Sequence, residues 1–173
     1  MILDIETDGK HTIVEIAYNI YDYIDNNLVL DREVDIIIND NMTLDFYRKI
    51  PIELILNGVT PLDAILQVRQ DILLVDYIVC HNVGFDIRFI KKYLERYDLM
   101  IEFPKLFDTM TSTRHLVKSL DKNGRIKNPK LEELYFYLFN TMPDQDLCHR
   151  GDYDVKITCS CLNKLLELDI FKV

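Results

Sequence analysis

Residues 2–7 read Ile2-Leu3-Asp4-Ile5-Glu6-Thr7, and the fold turns on the two acids in this apolar run. Side chains of a strand alternate between its faces, so residues two apart share a face. Asp4 and Glu6 therefore project together, opposite Leu3 and Ile5. A strand that aims two carboxylates into one space needs a reason, which the rest of the chain supplies.

Outward from that strand, residues 11–24 (HTIVEIAYNIYDYI) and 27–39 (NLVLDREVDIIIN) are rich in β-branched and aromatic residues. With Asp25, Asn26 and Asn27 as turn residues, they predict a hairpin or meander of long strands. The period then changes. Thr60, Pro61 and Asp63 supply an N-cap, a first-turn proline and a first-turn acid, predicting a helix through LDAILQVRQDILL. YIVCHN at 77–82 predicts a short strand. GFDIRFIKKYLERYD predicts a helix with Phe85, Phe89, Ile90, Tyr93, Leu94 and Tyr97 along one side. KLFDT predicts another strand. TSTRHLVKSL and KLEELYFYLF predict helices joined by the polar DKNGRIKNP, and a last helix runs through DYDVKITCSCLNKLLEL. Strands first, then strands alternating with helices, predict an α/β fold: a mixed sheet with helices on both faces.

The 173 residues suit a single domain spanning 1–173 with one sizeable core. A net charge of −9 argues against a broadly basic surface while allowing a local basic patch. Neither a membrane span nor a secretory signal is present in the sequence. Cys80, Cys148, Cys159 and Cys161 form no CxxC pair, so reduced thiols and an intracellular, cytoplasmic location are expected.

Two further acids fall on apolar stripes. From Asp86, helical steps reach Phe89, Ile90, Tyr93 and Leu94. From Asp154 they reach Ile157, Thr158, Cys161, Leu162 and Leu165. Asp152 leads to a mixed face and is expected to be solvated or to cap the helix. Asp4, Glu6, Asp86 and Asp154 thus point inward, and buried carboxylates repel one another. No Lys or Arg lies on these stripes to neutralise them. Hard oxygen ligands suit Mg²⁺ or Mn²⁺, and Zn²⁺ would recruit thiolates and imidazoles.

LDIET, HNVGFD and HRGDYD, in this order, resemble the motifs of the DEDDh (DnaQ-like) 3′→5′ exonucleases. Asp4 and Glu6 match the first motif, His81, Asn82 and Asp86 the second, and His149 with Asp154 the third, His-x4-Asp. The sister class places a tyrosine where Arg150 stands, so the histidine class fits. VEIAY, FDTM and KLEELYFYLF echo other family segments, so the resemblance spans essentially the whole chain.

The resemblance implies an RNase H-like fold, a mixed five-stranded sheet flanked by helices. It implies stepwise hydrolysis of DNA or RNA from a free 3′ end to nucleoside 5′-monophosphates, with two Mg²⁺ or Mn²⁺ ions. Asp4, Glu6, Asp86 and Asp154 would be the metal ligands and His149 the general base, a role suited to an imidazole near neutral pH. Ile5, Thr7, His81, Asn82 and Phe85 would lie at the substrate, with Phe85 either touching a base or packing. A polymerase or replication partner is expected, and no membrane. The alternatives are an RNA-specific exoribonuclease of the same family and a non-catalytic nucleic-acid-binding domain. Family members usually have a longer first strand, so this one is expected to be short at its entry.

His11 and His115 match no motif and read as surface or turn residues. The densest basic segment, VKSLDKNGRIKNPK, carries Lys118, Lys122, Arg125, Lys127 and Lys130. It reads either as a solvated loop or as a source of phosphate contacts.

Overall fold

The computed structural model describes residues 1–8, 12–25, 27–40 and 50–171. Five strands, β1 (Ile2–Thr7), β2 (Ile13–Ile24), β3 (Asn27–Ile37), β4 (Tyr77–Cys80) and β5 (Lys105–Asp108), form one sheet in the order β3-β2-β1-β4-β5. β1, β2 and β3 pair antiparallel, and β4 runs parallel to both β1 and β5. With helices on both faces, this mixed five-stranded sheet has the RNase H-like arrangement. His11 lies outside the described residues, as does Asn26 of the β2–β3 turn; Asp25 turns with φ 50°.

The helices are α1 (Ile52–Leu56), α2 (Pro61–Ile72), α3 (Val83–Arg96), α4 (Thr109–Ser112), α5 (Arg114–Val117), α6 (Leu131–Phe139) and α7 (Gly151–Glu167). α2 starts as its sequence predicts: the Thr60 side chain caps Asp63 N–H, and Pro61 opens the helix. α1 was not anticipated. The segment 111–120, expected as one helix, divides. Thr113 bonds its hydroxyl back to the Thr109 carbonyl (2.7 Å), and the chain leaves helical geometry at Lys118, φ 54°.

Strand parity sorts the core into two layers. Leu3, Ile5, Ile16, Tyr18, Ile36 and Ile78 pack with α2 and α3. Ile2, Ala17 and Val79 pack on the other face with Val155 and Leu162 of α7. Buried Asp71 ties α2 to the sheet, accepting from Tyr18 Oη (2.6 Å) and pairing with Arg32 (2.7 Å). β1 has six residues, and every residue from Met1 to Leu3 is buried. No described helix is long and apolar enough to cross a membrane.

Candidate metal centre

The alternation that buries Leu3 and Ile5 against α2 and α3 places Asp4 and Glu6 on the α7 face. There Asp4 is registered with Ala17 of β2, and Glu6 with Glu15. β1 and β4 pair only at Ile2 and Val79, then part. The Ile5 amide faces the gap and has no strand partner there. Asp86, in the first turn of α3, fills it: Ile5 N–H donates to Asp86 Oδ1 at 3.1 Å. Asp86 is 2% exposed, so the inward direction read from the helical period holds.

α7 brings the third part. Asp154 lies in its first turn, and His149 precedes it in a left-handed turn, φ 65°. His149 N–H donates to Asp154 Oδ2 at 3.2 Å. One ligand atom each from Glu6, His149 and Asp154 lies within 4.8 Å of the others. His149 is exposed, and a cavity of about 200 Å³ borders it and Asp154, walled by Lys130, Glu132 and Pro143.

The electrostatics match the crowding. Burial first, then repulsion from Asp86, Asp154, Glu6 and Glu15, holds the Asp4 carboxyl well above its ordinary range. Burial raises Asp86 well above its usual value despite the Ile5 amide. Asp154 is pushed up to about 6, burial outweighing the His149 amide. Among the described residues, no Lys or Arg forms an ion pair with Asp4, Asp86 or Asp154. Crowded carboxylates of one sign, with the His149 imidazole beside them, could hold a divalent cation.

Glu15, Asp35 and Asp152 form a second acid group, again with ligand atoms within 4.8 Å. Glu15 is wholly buried and its carboxyl is raised to about 7, by burial above all. This group encloses a cation: Arg150 Nη2 lies 3.2 Å from Glu15, 3.8 Å from Asp35 and 4.0 Å from Asp152. Asp152 is partly solvated, as expected, and also meets Lys156 (3.8 Å). Glu15 and Asp35 were not singled out in the sequence. The signal was there for Glu15, an acid inside IVEIAY as Asp4 is inside ILDIET.

The expected substrate residues have varied surroundings. The Ile5 amide is taken by Asp86, and Thr7 ends β1 beyond a register shift after Glu6. His81 spans the protein: Nδ1 lies 3.0 Å from Thr109 Oγ1 and Nε2 3.1 Å from the Pro129 carbonyl. A carbonyl needs a donor, so the proton sits on Nε2. Burial lowers the pKa of this ring. Asn82 is exposed at φ 88°, its amide donating to Asp108 Oδ1 (3.0 Å). Phe85 packs on Phe89, ring centroids 4.9 Å apart and planes tilted by 51°, with Arg88 over its ring.

In the basic segment, Asp121 accepts from the Asn123 and Arg125 amides, and Leu120 bridges to Ile126, giving an ordered turn. Lys127 is committed to Glu133 at 2.6 Å, while Lys122 and Arg125 are exposed.

No family model matches the chain, and no curated protein matches it. The RNase H-like sheet and its acid groups are compatible with a metal-dependent phosphodiester hydrolase.

Proposed function

We propose that this chain is a metal-dependent 3′→5′ exonuclease of the DEDDh type, acting on DNA or RNA. The observation that carries the reading is the meeting of three distant segments. Glu6 comes together with His149 and Asp154, and Asp86 is locked to the same strand at Ile5. Asp4, Glu6, Asp86 and Asp154 are the residues that would hold the metal. Divalent ions bound there would offset the carboxylate repulsion and neutralise charge developing on the scissile phosphate.

The chain's own part is positioning and proton transfer. His149, exposed and with a ligand atom within 4.8 Å of those of Glu6 and Asp154, would take a proton from a water molecule. As that water's oxygen bonds to phosphorus, the bond from phosphorus to the 3′ oxygen of the penultimate nucleotide breaks. The terminal nucleotide leaves as its 5′-monophosphate. The cavity at His149 and Asp154 would receive the 3′-terminal nucleotide, and Lys130 at its wall, 3.2 Å from Glu132, would have to exchange that carboxylate for the phosphate. Asp108, which accepts both the Asn82 and the Met110 amides, keeps the second motif aligned with β5.

The test is digestion of 5′-labelled single-stranded DNA, single-stranded RNA and duplexes with Mg²⁺ or Mn²⁺. A ladder shortening from the 3′ end, releasing 5′-monophosphates and stopped by EDTA, is expected. The panel also separates a DNA enzyme from an exoribonuclease. Binding of all substrates without cleavage in either metal would leave only the non-catalytic alternative.

A further inference from the structure

Glu15 is the third residue of β2, and both of its carboxylate oxygens are engaged by residues that directly follow His149. Oε1 accepts from Arg150 Nε at 3.3 Å and Nη2 at 3.2 Å, and Oε2 accepts from the Gly151 amide at 3.0 Å. The helix start is pressed onto the strand here, for a Cβ on Gly151 would stand 3.0 Å from Ala17 Cβ and 3.4 Å from Glu15 Cδ. His149 itself is held at φ 65°, a left-handed conformation that costs a non-glycine residue on the order of 1–3 kcal/mol and persists only where its surroundings enforce it. On its C-terminal side that enforcement comes from Glu15.

The strand register supplies the other half. Glu15 sits opposite Glu6 across β1 and β2. One strand pair thus presents Glu6 to His149 and Asp154, and Glu15 to Arg150 and Gly151. A carboxylate gripping a guanidinium by two nitrogens and an adjacent amide fixes direction as well as distance. A Lys ammonium is a single point donor and would not reproduce that grip.

We propose that Glu15 and Arg150 form a positioning clamp that holds the turn at residues 148–151 so that the His149 imidazole faces the carboxylates of β1 and α7. The pair acts through His149 and does not touch substrate. Its role in turnover rests on the exonuclease reading; its role in ordering His149 does not.

The first test therefore uses no substrate. Backbone ¹⁵N relaxation is compared in the wild type, Arg150→Ala, Arg150→Lys and Glu15→Gln. The clamp predicts that the His149 order parameter falls from roughly 0.85 toward 0.6 or below in Arg150→Ala, while β1 and β2 keep wild-type values. If Arg150→Ala does not fold, the same drop in smaller degree is required of Arg150→Lys and Glu15→Gln. An equally rigid His149 in every folded variant overturns the proposal, whether or not the protein cleaves nucleic acid.

The second test is kinetic. With His149 displaced by about an ångström, kcat should fall on the order of 10²-fold at unchanged KM, with Arg150→Lys recovering part of the loss. Combined with His149→Ala, Arg150→Ala should add little further loss, because both act on one group. Full additivity would place the clamp's effect elsewhere and overturn its action through His149. A wild type that cleaves nothing, with the relaxation result intact, refutes the exonuclease reading and leaves the clamp standing.

Discussion

Asp154→Asn should make the metal-free protein more stable. The Asp154 carboxyl is raised from its ordinary 3.8 to about 6, with burial the main cause. A group that binds its proton more tightly in the folded state costs stability once it must ionise, so the sign is opposite to that of a salt-bridged acid. Above pH 6 the difference between about 6 and 3.8, at about 1.4 kcal/mol per pH unit, amounts to roughly 3 kcal/mol. Part of that is returned on substitution. Asparagine keeps an acceptor for the His149 amide but gives up a favourable charge in the first turn of α7, worth about 0.3–1 kcal/mol. A net gain of about 1–2 kcal/mol is expected at pH 8, a rise in Tm of roughly 2–8 °C for a chain of this length. The advantage should shrink as pH falls through 6 and be nearly gone by pH 4. Urea denaturation of both proteins in EDTA at pH 8 and pH 4 measures it. Adding Mg²⁺ at about 100 times its Kd should then stabilise the wild type by roughly 2.7 kcal/mol and the variant by much less. A variant less stable at pH 8, or one with the same advantage at both pH values, would refute the reasoning that burying an ionised carboxylate sets this cost.

His149→Ala should lose about 10²–10⁴-fold in kcat and still bind Mn²⁺ in a titration; an unchanged kcat would remove the imidazole from the mechanism. The metal-free protein should gain stability as pH drops from about 7 toward 4.5. Glu15, raised to about 7 chiefly by burial, binds a proton in the folded state throughout that window while its unfolded counterpart does not. Denaturation midpoints across pH 4.5–8 check this, and stability rising steadily with pH would contradict it. On the basic turn, Lys122→Glu with Arg125→Glu should raise KM for long oligonucleotides more than for dinucleotides, and lower the log–log salt slope by about 0.7 for each phosphate that is no longer neutralised. An unchanged slope would mark the turn as a solvated one. Lys127→Glu should instead cost stability, visible as a lower Tm, because it sets a carboxylate where Lys127 meets Glu133.

Much of the fold was legible because period is a property of a short window. Alternation alone put Asp4 and Glu6 on one face of β1, and the helical repeat put Asp86 and Asp154 on inward stripes; the folded chain buries Asp86 and half-buries Asp4, Glu6 and Asp154. The order of strands and helices followed from the same local signals, and so did the Thr60 cap. α1 escaped, being only five residues long, and so did the break at Thr113, where a hydroxyl competes with the helix for one carbonyl.

What no window contains is the partner of a buried group. Glu15 obeys the parity rule that singled out Asp4, but its meaning comes from Arg150, 135 residues further on. Lys127 looked like a free cation until the turn folded it onto Glu133. The Ile5 amide became a docking point for Asp86 only because β4 leaves β1 after Val79. The sequence by itself determined which side chains point inward, since backbone geometry repeats every two or 3.6 residues. Tertiary structure alone decided which of them meet, since strand register and the crossing of α3 and α7 over the sheet are settled by packing across the whole chain.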